Sequence, residues 1–191
     1  LAAQAPLWPL GTGSGYHPIT IGYLAGEVFR RLDGRTLGVA LREDICVPLG
    51  LDLWIGLPDS EHGRVAQMRK PPAAPDLGQI DDIKRAAFLD RGSAPGGRGS
   101  GDWRRMEIPS ANGHATAAAL ARLMAVIAGD GSLDGRAVVS RETLTALTRE
   151  QVRGPDKVLP FDLIWAAGLM KNTGSNGLGP GHQAVGHYGG G

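Results

Sequence analysis

"LWPLGTGSGYHPITIGYLAGEVFRRLDGRTLGVALREDICVPLGLDLWIGLP", Leu7 to Pro58, sets glycines at positions 11, 13 and 15 ahead of Tyr16 and His17, then runs into two apolar segments. In the first, Ile19, Ile21, Leu24, Ala25, Val28, Phe29 and Leu32 recur at three-to-four spacing while Glu27, Arg30 and Arg31 fall largely elsewhere, which predicts an amphipathic helix. "DGRT" stops that helix and offers Thr36 as the N-cap of a second, whose stripe of Leu37, Ala40, Leu41 and Ile45 ends at Pro48 and Gly50. "LDLWIGL", Leu51 to Leu57, is short, apolar and bounded by Gly and Pro, as a strand or extended segment is.

Further along, Pro71, Pro72 and Pro75 exclude regular structure between Met68 and Gly78, and Ile80 to Leu89 reads as a short helix. "RGSAPGGRGSG", Arg91 to Gly101, is expected to be a long loop. "HATAAALARLMAVIAGDG" is the strongest helix, with an apolar face through Ala118, Leu120, Leu123, Met124 and Ile127 and a stop at Gly129. Ser140 caps the helix in "SRETLTALTRE", and "FDLIWAAGLMK", Phe161 to Lys171, reads as a strand entering a sheet. Eight of the last twenty residues are glycine, which lets backbone approach a ligand closely.

The totals narrow the function. With 191 residues, 42% apolar and 20% charged, the chain can bury a globular core, and no apolar run approaches a membrane span. Twenty basic residues against nineteen acidic ones leave +1, with the arginines scattered, so nothing favours nucleic acid. "LAAQAPLWPL" has no basic n-region and no cleavage pattern, so a cytoplasmic setting is expected, and the chain is expected to continue beyond both ends. Cys46 has no second cysteine to pair with and is expected to be a small buried apolar side chain.

The glycine triplet is not a phosphate cradle. "APLWPL" carries two prolines where a dinucleotide site needs a strand, and no Gly-Lys-Ser/Thr occurs. His17, His62, His114, His182 and His187 show no metal-binding spacing, so neither metal nor cofactor is expected. Ser14 and Ser110 read as ordinary turn and cap residues, and Glu27 as an arginine partner rather than a catalytic acid. Tyr16 leaves two readings open: a ring packed at a helix start, or a proton-transfer group. The second needs a cationic neighbour, since an ordinary phenol has a pKa of about 10.

The stretch from Leu7 to Pro58 resembles the serine β-lactamase-related hydrolases, the group holding family VIII esterases, class C β-lactamases and DD-peptidases. In that family a Trp-x-Pro-Gly region leads to a tyrosine motif, a Gly-Glu helix and a Pro-Leu-Gly-Leu segment. "SANGHATAAALARLMAVIAGDG" is similar to the family's Asn-Gly helix. "VGHYGGG" resembles its third motif, where esterase members carry His-x-Gly in place of Lys-Thr-Gly. The resemblance implies an α+β fold, β-lactamase/penicillin-binding-protein-like. Residues 1–160 would be mostly helical and 161–191 would begin the C-terminal sheet portion. It makes Tyr16 the general base of the second motif. His187 and Gly189 become the third motif, with the Gly190 amide as an oxyanion donor.

Two departures qualify what is implied. Pro18 stands where lactamases have Asn or Ser, which favours ester over β-lactam substrates. No lysine among Lys70, Lys84, Lys157 and Lys171 has a serine three residues before it, so the S-x-x-K nucleophile is expected outside these residues. The expectation is therefore part of an esterase acting on small-molecule esters through an acyl-serine, without cofactor and with self-association through unpaired sheet edges. A lactamase or DD-peptidase of the same fold, or a non-catalytic binding member, are the alternatives.

Overall fold

The computed structural model describes all residues except 70, 71, 74, 75, 91–93, 174–176, 188, 190 and 191. The chain divides into two units. One comprises Leu1, Pro18–Arg69 and Asp90–Val139; the other comprises Ala2–His17, Lys70–Leu89 and Ser140–Gly191.

In the first unit α1, Thr20–Asp33, ends at Gly34, whose φ of 92° is the left-handed value that glycine adopts without strain and whose N–H reaches the Arg30 carbonyl. Arg30 and Arg31 sit in its last turn, where cations suit the helix dipole, and both donate to Glu27. The helix is as expected, but its packed face is not. Gly22 is buried while Ile21, Leu24, Val28 and Leu32 are 41–84% exposed. Ile19 and Tyr23 pack instead with Trp103 and Ile108, because Gly22, lacking a side chain, lets the helix close on Ser110.

Thr36 caps α2, Leu37–Ala40, as expected, and its hydroxyl also donates to Glu107, whose other carboxylate oxygen accepts from the Gly38 amide. The helix continues through a π turn, Leu41–Cys46, into α3, Val47–Leu49. The Val47 N–H reaches back to the Arg42 carbonyl, which sets one extra residue into the turn. Cys46, fully buried, joins Leu51, Leu53 and Ala119 in the larger core cluster, with Leu41, Ile45, Leu49 and Leu123 around it.

β1, Leu53–Ile55, pairs antiparallel with β2, Gly113–Ala115, setting Trp54 opposite His114. A 3-10 turn, Asp59–Arg64, follows β1. The expected loop runs into a helix at its last residue: α5, Gly101–Arg105, starts at Ser100, whose hydroxyl accepts from the Trp103 amide. Ser110 opens no helix; its hydroxyl donates to the Ile19 carbonyl. α6, Ala117–Ala128, begins at a Thr116 cap, three residues later than the alanine-rich pattern suggests, because Gly113–Ala115 is held in β2. Buried Asn112 fixes the preceding turn, accepting from the Ile108 amide and donating to the Trp103 carbonyl. β3, Ser132–Leu133, and β4, Arg136–Ala137, form a hairpin around Asp134 and Gly135, both at positive φ.

In the second unit Asp81 caps α4, Asp82–Phe88, and Ser140 caps α7, Arg141–Thr148, each side chain accepting an amide of the first turn. A four-stranded antiparallel sheet runs in the order β5, Val152–Pro155; β6, Asp162–Trp165; β7, Met170–Lys171; β8, Val185–Gly186. The segment from Phe161 to Lys171 is thus two strands, because Gly168 at φ 79° turns the chain between them. Leu163, Ile164 and Met170 are buried. Asn172 gathers the β7–β8 loop, donating to the Gly179 and Gly181 carbonyls and accepting from the Leu178 amide.

Candidate functional site

The glycine turn delivers Tyr16 to the sheet of the second unit. Ser14 forms a parallel bridge with Asp156, and its carbonyl accepts from the Lys157 amide at 2.9 Å. Trp8 closes the turn by donating its indole N–H to the Gly13 carbonyl, and the Lys157 ammonium lies 5.7 Å from the Trp8 ring. Two of the three glycines, Gly13 and Gly15, are there for space. A Cβ on Gly15 would lie 2.7 Å from Trp8 Cη2, and one on Gly13 would lie 2.7 Å from Lys157 Cε.

Tyr16 and His187 are brought together. Their rings lie 5.9 Å apart, and Trp165, at the end of β6, meets both: stacked on Tyr16 at 6.1 Å and tilted against His187 at 5.7 Å. His187 leaves β8, the outermost strand of this sheet among the described residues, and is exposed; Gly189 is also exposed, with open space among the described residues where a Cβ would stand. Gly190, the expected oxyanion donor, lies outside the described residues.

Burial pushes the Tyr16 pKa above its ordinary value, since a phenolate is poorly solvated there. The group is therefore a proton and hydrogen-bond donor at neutral pH, and it becomes a base where a cation stands beside it. Glu27 is a different case: Arg30 and Arg31 bonds hold its exposed carboxyl at about 2, as an ion-pair partner.

Trp165 and Asp156 were not anticipated. A tryptophan inside an apolar strand signals core, and Asp156 sits in "GPDKVLP", an ordinary turn sequence. Its Oδ1 accepts the Tyr16 amide at 3.0 Å, across 140 residues of chain.

The chain belongs to the beta-lactamase family, whose Beta-lactamase family model matches residues 1–191. It is 34% identical over 200 residues to the Esterase/beta-lactamase LipL of Mycobacterium tuberculosis (strain ATCC 25618 / H37Rv), covering 94% of this chain and 46% of that protein. It is similar to the crystal structure of a novel penicillin-binding protein homolog from Caulobacter crescentus, with a TM-score of 0.94 and 58% identity over 98% of this chain and 50% of that one. A family VIII carboxylesterase structure matches with a TM-score of 0.81 and 32% identity, over 97% of this chain and 49% of that one. The chain spans about half the length of these relatives. The expected β-lactamase/penicillin-binding-protein-like α+β fold is the one found. No helix among the described residues is long and apolar enough to cross a membrane.

Proposed function

We propose that the chain is part of a serine hydrolase that cleaves small carboxylic esters through an acyl-serine intermediate, with the S-x-x-K nucleophile supplied by polypeptide outside these residues. The observation that carries this reading is the convergence of Tyr16 and His187 at the end of β8, with Trp165 as an apolar wall. Similarity to a family VIII carboxylesterase supports an ester substrate, as does Pro18.

In this reading the serine oxygen attacks the ester carbonyl while Tyr16, as phenolate, takes the serine proton and passes it to the departing alkoxide. Water then attacks the acyl-serine; Tyr16 takes its proton and returns it to the serine as the acid leaves. The cation that the phenolate needs is the motif's lysine. Backbone N–H groups after His187 stabilise the tetrahedral oxyanion, each contributing about 3 kcal/mol.

The test is turnover of a short-chain aryl ester by the intact protein, with fluorophosphonate labelling and a Tyr16→Phe variant. Labelling and ester turnover are expected, with kcat falling about 10²- to 10⁴-fold in the variant and KM little changed. Near-normal turnover in Tyr16→Phe removes the tyrosine from the mechanism. Preference for a chromogenic cephalosporin makes the protein a lactamase, and ligand binding without labelling makes it a non-catalytic member.

A further inference from the structure

Resting on that reading, we infer that Asp156 is the positioning residue for Tyr16. Asp156 is buried, 9% exposed, and sits in the loop between β5 and β6. Oδ1 accepts three amides: Val158 at 2.9 Å, Leu159 at 2.9 Å and Tyr16 at 3.0 Å. The first two bonds are local and fix the carboxylate within its own loop, as in an Asx turn. The third carries that fixed position to a residue distant in sequence.

Other contacts support the clamp. The Asp156 amide donates to the Phe161 carbonyl just before β6, which closes the loop, and the Lys157 amide donates to the Ser14 carbonyl, so the tyrosine segment is tied to the loop at Lys157 as well as at the Asp156 side chain. β6 then runs from Asp162 to Trp165, whose ring stacks on the phenol. One loop and one strand therefore hold the backbone and the ring of the same tyrosine. The remaining oxygen, Oδ2, is buried and has no partner among the described residues. A carboxylate serving as a surface ion pair would turn toward a cation; this one turns toward amides. Hydrogen bonds to an ionised acceptor are roughly twice as strong as neutral ones, which suits a group that holds a backbone against motion.

A proton-transfer group displaced by about 1 Å can lose about 10²-fold in rate. In the intact protein, Asp156→Ala is expected to lower kcat on an aryl ester about 10²-fold with KM nearly unchanged. Asp156→Asn, which keeps an acceptor at Oδ1, is expected to recover most of that loss. The deciding measurement is the double mutant with Tyr16→Phe. If Asp156 acts through the tyrosine, Asp156→Ala lowers the residual turnover of Tyr16→Phe no more than about threefold. An equal loss in both backgrounds, or a full loss with Asn, overturns the inference. Should the alanine variant not fold, Asp156→Glu takes its place in the same cycle, since it keeps the charge but displaces the oxygen by a methylene; about a tenfold loss is expected. A Tyr16→Phe variant with near-normal turnover sinks the functional reading itself. A slow Tyr16→Phe beside a fast Asp156→Ala sinks the clamp alone.

Discussion

The rings of Tyr16 and Trp165 are nearly parallel, 6° between planes with centroids 6.1 Å apart. The indole thus covers one face of the phenol and adds to the burial that raises its pKa. Removing it re-admits water. In these 191 residues, which lack the S-x-x-K lysine, the Tyr16 pKa of Trp165→Ala is expected to fall back toward about 10, measured by ultraviolet phenolate titration against a Tyr16→Phe control. A group whose folded pKa is raised contributes stability that is complete below its unfolded pKa and is lost as pH rises through the folded value. Unfolding midpoints are therefore expected to drop above about pH 10, less steeply in Tyr16→Phe.

Gly15 and Gly13 differ in what faces them, although a Cβ on either meets an atom at 2.7 Å. Lys157 is flexible and can swing away from Gly13, whereas the Trp8 indole facing Gly15 is rigid and Val158 closes the other side. Gly15→Ala is expected to cost about 1–3 kcal/mol in denaturant unfolding and Gly13→Ala less than about 1 kcal/mol. Equal costs would show that the Trp8 contact does not matter.

Gly22→Ala tests a case where local propensity and packing give opposite signs. Within a helix, alanine is favoured over glycine by about 1 kcal/mol. A Cβ at position 22, however, would run into the Ser110 hydroxyl and its backbone nitrogen. Overpacking against backbone should win, so the variant is expected to be destabilised by about 1–3 kcal/mol. A raised melting temperature would show that α1 can lift away from Ser110.

His114 supplies an acid-side test. Burial lowers its pKa from the ordinary 6.5, with Arg104 and His62 adding positive charge against a bond to Asn112 that works the other way. A depressed folded pKa gives stability that is present above the unfolded value and is lost as pH falls through the folded one. Stability is expected to decline below about pH 6.5, and His114→Gln should flatten that slope. An unchanged slope would assign it to other groups.

Much of this architecture can be read from local sequence, and most of the exceptions share a cause. Caps at Thr36 and Ser140, the α1 stop and the burial of Cys46 follow from nearest-neighbour chemistry. α6 starts later than its local pattern predicts because pairing with Leu53–Ile55 takes His114 and Ala115 from the helix, and no local pattern encodes a partner sixty residues away. Where the glycine-rich run ends, the Ser100 cap and Asp102 start α5. The outward stripe of α1 has a different cause: periodicity gives a helix's phase but not which face finds a neighbour, and Gly22 decided that here. Tyr16 and His187 stand in recognisable motifs, whereas Trp165 and Asp156 matter only through contacts made over long stretches of chain.

The bond from the Tyr16 amide to Asp156 also orders events in time. During synthesis the glycine turn is made before the carboxylate that fixes it, which emerges 140 residues later. Until then the tyrosine has neither its clamp nor the indole beside it. A product truncated ahead of Asp156 would carry the full tyrosine motif with its ring unanchored. The tyrosine corner therefore settles only once residues 156–165 have joined it, after the loop-closure entropy of the intervening chain has been met.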